Sequence, residues 1–166
     1  MFPEDDENWF LIDTSVLVNI RDEHSDSEEI WAAVIAEVQA GRVKTVRQVL
    51  DELEQKFKPI YERLKPHKQD LLVADGIAYS NEVAAEIRAI HRDHIKLYNP
   101  IGGINPADPF LIAVAKELSK EHATAVVTDE RRSGARYRSK IPYVCQQRGV
   151  ACIDRLEFLK EIGIDV

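Results

Sequence analysis

The chain has 166 residues, 45% hydrophobic and 31% charged, a length and composition that favour one globular domain, 1–166, with a real core. Its net charge of −7 argues against a protein that coats nucleic acid through bulk electrostatics, so any polyanion must be gripped locally. Two cysteines, Cys145 and Cys152, are too few for a disulfide scaffold and match no common zinc spacing, which makes a reduced cytoplasm the expected location.

Taken in chain order, the acidic start "MFPEDDENWF" lacks the basic region and long apolar stretch of a signal peptide. "WFLIDT" (9–14) reads as a buried strand ending at Asp13, followed by a turn at "TSVL". "SEEIWAAVIAEVQAG" reads as a helix, with Ile30, Val34, Ile35 and Val38 at helical spacing and Gly41 suited to the position just past its end. "RVKTV" is a short strand and "RQVLDELEQKF" a helix ended by Pro59. A helical hairpin broken by Pro66 then runs through "NEVAAEIRAIHRDHI". After the loop "NPIGGINP" comes a helix over 108–122, for which Asp108 is a natural N-cap and Pro109 fits the first helical position. "TAVVT" is a β-branched strand, followed by a basic loop, a short helix from Pro142, the strand "VACI" and a last helix, "RLEFLKEIG". The longest apolar runs, "WFLI" and "FLIAVA", are too short to span a bilayer, so no membrane association is expected.

Short apolar strands alternating with longer helices predict an α/β fold, a parallel sheet covered on both faces. In such sheets the working site lies at the carboxyl ends of the strands. Asp13 and the pair Asp129–Glu130 fall on that edge, with Glu52 in the helix after the second strand and Asp108 before "TAVVT". Each acid has an ordinary role available. Asp13 and Asp108 could be caps, Glu52 could pair with Lys56, and Glu130 could be a solvated loop acid beside Arg131. Together at one edge they favour a site. Crowded carboxylates repel one another unless a cation neutralises them, and magnesium or manganese prefer such oxygen ligands and keep waters that can become nucleophiles.

"LIDTSVL", "VLDEL", "ADPFLIAVA" and "VVTDE" occur in an order and approximate spacing that resembles the PIN-domain nucleases, over nearly the whole chain. The ending "KIPYVCQQRGVACIDRLEFL" is similar to a bacterial branch related to the VapC-type toxins. The resemblance implies a three-layer α/β/α sandwich around a parallel sheet, and a metal-dependent endoribonuclease cleaving single-stranded RNA as the toxin of a toxin–antitoxin pair. It implies Asp13, Glu52, Asp108 and Glu130 as catalytic metal ligands for Mg2+ or Mn2+, with Asp129 as the competitor of Glu130. Ser15 stands where many relatives have Asn, and Thr128 could orient water or a ligand carboxylate or equally be an ordinary strand-end hydroxyl. Expected partners are the RNA, a cognate antitoxin protein and a second copy in a homodimer. The rival class is a catalytically silent PIN-like module that binds or regulates.

The loop "RRSGARYRSK" (131–140) holds five basic residues and no acid. Arg136 and Arg138 are candidates for RNA phosphates and Tyr137 for stacking on a base, with a protein partner as the alternative. His91 and His94 could share a zinc ion, but lack an evident third ligand and fit a solvated helix end better. A phosphatase of the haloacid-dehalogenase type would need Asp at position 15, which is Ser, and an adhesion site of Asp-x-Ser-x-Ser form would need Ser at 17, which is Leu. A receiver's acidic set cannot be placed, and no Gly-rich phosphate motif follows any strand.

Overall fold

The computed structural model describes residues 8–94, 107–130, 132, 134 and 140–166. Four strands, β1 (Trp9–Ile12), β2 (Val43–Lys44), β3 (Thr124–Val127) and β4 (Ala151–Ile153), form one parallel sheet in the order β2-β1-β3-β4. Its registers pair Phe10 with Val43, Ile12 with Val127, and Val127 with Ile153. Leu11, Ile12 and every residue of β3 are buried, as unbroken apolar runs require when both sheet faces are covered.

The helices are α1 (Thr14–Glu23), α2 (Ser27–Gln39), α3 (Arg47–Lys56), α4 (Lys58–Leu64), α5 (Lys68–Leu71), α6 (Asp75–Ala78), α7 (Asn81–Asp93), α8 (Ala107–Leu118), α9 (Ile141–Arg148) and α10 (Arg155–Glu161). The step from β1 to β2 runs opposite in direction to the steps from β2 to β3 and on to β4. Right-handed crossovers then put α1–α2 and α8–α9 on opposite faces, giving three layers of α/β/α type. The reversal makes a switch point at the carboxyl ends of β1 and β3, where the crevice of such a sheet lies.

The helix α8 explains much of the core. Its "ADPFLIAVAKEL" is apolar almost all round, because α8 packs on β3 and β1 on one side and meets α7, α3 and α9 on the others. Leu111, Ile112 and Val114 are each fully buried. Burying a side chain of that size stabilises by about 1.5–3 kcal/mol. The same enclosure reaches Asp108 in the first turn, which is only 7% exposed.

Several local expectations need correction. "TSVL" is no mere turn: Thr14–Glu23 form a ten-residue helix that buries Val16, Leu17 and Ile20. Pro59 does not end α3; it sits in the first turn of α4, where its missing N–H costs nothing. Pro66 lies in a single 3-10 turn, and the hairpin around it is a run of short helical pieces before α7. Asp108 is not an N-cap, since the helix already includes Ala107. By contrast, Gly41 has the left-handed φ of +82° expected just past α2. The loop "NPIGGINP" and most of the basic loop, including Arg136, Tyr137 and Arg138, lie outside the described residues. Among the described residues, no helix is long and apolar enough to cross a membrane.

Candidate functional site

The switch point is held in register by backbone. The Asp13 amide donates to the Val127 carbonyl at 2.9 Å, and the Thr128 amide to that of Ile153 at 3.0 Å. On the β2 side, Thr45 Oγ1 donates to the Ile12 carbonyl at 2.8 Å. Asp13 therefore leaves the central strand at a fixed height, between Thr14 of α1 and Thr128 of β3's end.

Two hydroxyls aim its carboxylate. Ser15 Oγ donates to Asp13 Oδ2 at 2.8 Å, and Thr128 Oγ1 donates to the same oxygen at 2.9 Å. Thr128 is thus more than a strand-end hydroxyl, and it also accepts the Glu130 amide at 3.2 Å. Burial pushes the Asp13 carboxyl above its ordinary value, and the bonds from Ser15 and Thr128 pull the other way.

Asp108 approaches from α8. Its carboxyl is pushed up from 3.8 to about 9, first by burial and then by the charges of Asp13, Glu130 and Glu52, with Lys140 partly offsetting them. Its Oδ1 is buried without a hydrogen-bond partner. An orphaned carboxylate oxygen facing other acids is costly in a folded protein and calls for an account. Glu130 is also raised, by burial and then by Asp13, while its Oε2 accepts the Ile141 amide of α9 at 2.7 Å. Glu52 projects from α3 and meets Thr14 Oγ1 at 3.4 Å. Asp13, Glu130 and Glu52 thus all act on Asp108, and Asp13 acts on Glu130, at one edge of the sheet.

The two neighbours Asp129 and Glu130 are separated by their partners. Asp129 accepts from Asn19 Nδ2 at 2.9 Å, from the Arg155 amide at 3.1 Å and from the Arg155 guanidinium at 3.0 Å. Its charge is spent on joining α1 to α10, whereas Glu130 shares the field of Asp13 and Asp108. Sequence reasoning missed Asn19, Arg155 and Lys140. A polar Asn between Val18 and Ile20 was the one available signal for the first.

A family model for a domain of unknown function, DUF4411, matches residues 10–166. The chain belongs to the DUF4411 family. No curated protein matches it. The family's description carries no activity, so for this DUF4411 chain the functional argument rests on the acids.

By the chemistry of their donors, those acids suit a hard divalent cation. Every donor is a carboxylate oxygen, one of them lacks any partner, and their mutual repulsion is what a bound cation would relieve. Among the described residues, no group of three or more His, Cys, Asp and Glu side chains is arranged closely enough to hold a metal ion. The two helical histidines give no zinc set either; His94 instead meets Tyr143 edge-on at 6.4 Å between ring centres.

Proposed function

We propose that this DUF4411 protein is a Mg2+- or Mn2+-dependent endoribonuclease of PIN type that cleaves single-stranded RNA, acting as the toxin of a toxin–antitoxin pair. One observation carries the nuclease reading: Asp108 holds an unpartnered buried oxygen beside Asp13, Glu130 and Glu52 at the switch point of a parallel sheet. The toxin assignment rests on the family resemblance of the sequence. Asp13, Asp108, Glu52 and Glu130 would hold the ion. Once bound, it would neutralise charge on a scissile phosphate and lower the pKa of a water.

The chain's own residues set the stage for that chemistry. Ser15 and Thr128 fix Oδ2 of Asp13, and the backbone amides of Thr14 and Ser15 add to the donors that favour its charged form. The Ile141 amide restrains Glu130, and Lys140, next to it, offsets part of the negative field that would repel a phosphate. Asp108, protonated at neutral pH in the metal-free protein, would release its proton on binding the cation.

The test is isothermal titration with Mn2+ together with cleavage of a labelled single-stranded RNA, on the parent and on Asp13→Asn. Binding and cleavage that are both lost in Asp13→Asn support the reading. A folded parent that binds no Mn2+ at millimolar concentration would return the chain to the class of silent binding modules.

A further inference from the structure

Apart from the acidic edge, the structure brings two thiols together. Cys145 lies in the second half of α9 and is fully buried, while Cys152 is the middle residue of β4 and half-buried. The chain reverses between them at Gly149, whose φ of +71° is left-handed, and the Val150 amide returns to the Cys145 carbonyl at 2.9 Å. This C-terminal turn folds β4 back under the helix that precedes it. Cys152 faces the flank of α9, lining a cleft with Pro142, Tyr143 and Gln146, and the Cys152 thiol together with burial holds the Cys145 thiol well above its ordinary value.

Their surroundings differ in a way that assigns roles. Cys152 lines a cleft of about 340 Å³ with Arg132 and Tyr143, large enough to admit a small oxidant. Arg132 donates from Nη2 to the Cys152 carbonyl at 3.3 Å and to Glu157 at 2.8 Å, so a cation is anchored beside this cysteine. A cleft-lining sulfur on β4, with a buried second cysteine on the helix it packs against, is the arrangement of an oxidisable cysteine and its resolving partner.

We propose that Cys145 and Cys152 form a peroxide-oxidisable pair, in which Cys152 reacts first and Cys145 resolves it into an intramolecular disulfide joining α9 to β4. In the first step the Cys152 sulfur attacks hydrogen peroxide. An S–O bond forms, the O–O bond breaks, and the thiol proton leaves with the departing oxygen as water. In the second, the Cys145 sulfur displaces the hydroxyl from the sulfenic acid. The S–S bond forms, the S–O bond breaks, and a second water carries away the Cys145 proton. The two thiols together lose two electrons to one peroxide. The bond would brace α9 one turn beyond Ile141, whose amide holds Glu130.

The experiment treats the whole protein with hydrogen peroxide in chelator, then unfolds it with a maleimide present and reads the intact mass. The expected product is a monomer lighter by two hydrogens with no thiol left to alkylate. Cys145→Ala should instead accumulate a sulfenic acid on Cys152 that dimedone traps, and Cys152→Ser should react at least tenfold more slowly at Cys145 because that sulfur is buried. If Cys145→Ala fails to fold, Cys152→Ser alone decides. A wild-type protein that keeps both thiols alkylatable, a disulfide found only between two molecules, or oxidation of Cys152→Ser at the wild-type rate overturns the proposal. None of these readouts depends on nuclease activity.

Discussion

Removing the charge of Asp108 should stabilise the metal-free protein, and the gain should depend on pH in a defined sense. The carboxyl ordinarily ionises near 3.8 and is raised to about 9 in the fold. Between those values the folded state holds a proton that the unfolded chain has lost, so stability falls as pH rises through this window and is fully retained only below it. At neutral pH the roughly three pH units above the ordinary value, at about 1.36 kcal/mol each, set a ceiling of about 4 kcal/mol on the penalty. Asn cannot ionise, but its amide brings a buried donor that costs about 1–2 kcal/mol where it finds no acceptor. A net gain of about 1–3 kcal/mol is therefore expected at pH 8 for Asp108→Asn, turning near pH 4, where only the cost of the amide is left, into a loss of about 1–2 kcal/mol. In a domain of this size that is roughly 2–4 °C in Tm per kcal/mol. The assay is urea unfolding followed by circular dichroism, in chelator, at both pH values. An Asp108→Asn protein no more stable than the parent at pH 8, or offset equally at both, would refute the reasoning and leave Asp108 an ordinary helix-start residue.

Four further outcomes are expected. Millimolar Mn2+ should raise the Tm of the parent and leave that of Asp13→Asn unchanged, because the folded state alone binds the ion. Mn2+ affinity measured by calorimetry should climb from pH 6 to pH 8, since the Asp108 carboxyl, raised to about 9, must give up its proton to bind; a flat profile would contradict this. Asp129→Ala should cost about 1–3 kcal/mol in urea unfolding through the stranded Arg155, as expected when one partner of a half-buried, charge-assisted hydrogen bond is removed, whereas Glu130→Gln should leave stability near the parent's and weaken Mn2+ binding; the reverse pattern would exchange the two roles. Arg136→Ala with Arg138→Ala should weaken RNA binding and flatten its salt dependence by about 0.7 in log–log slope for each phosphate no longer neutralised, at constant Mn2+ affinity; an unchanged slope together with failure to bind a purified antitoxin would assign the loop to the protein interface.

The strands and the acids at their ends were legible because both obey local rules. "WFLI" and "TAVV" are buried on both faces, and an acid following such a run stands at the carboxyl edge whatever the rest of the chain does. The helix α1 was not legible, since Val16, Leu17 and Ile20 are too few to show helical periodicity beside Asn19, Arg21 and Asp22. Asp108 had the correct address but the wrong local role. Its burial comes from the neighbours of α8, which one sequence does not reveal. The division of labour between Asp129 and Glu130 was out of reach for the same reason: it is decided by Asn19, Arg155 and Ile141 on three other elements.

That division has a consequence in time. Thr128, which orients Asp13, lies 115 residues further along the chain, and Asp129 ties Asn19 to Arg155, another 26 residues on. With synthesis at about 5–20 residues per second, Asp13 waits on the order of ten seconds for its hydroxyl partner. The last helix must then leave the ribosome before Arg155 can latch the edge. A nascent chain, or one stopped short of residue 155, would carry Asp13, Glu52, Asp108 and Glu130 as four acids without the frame that makes them neighbours.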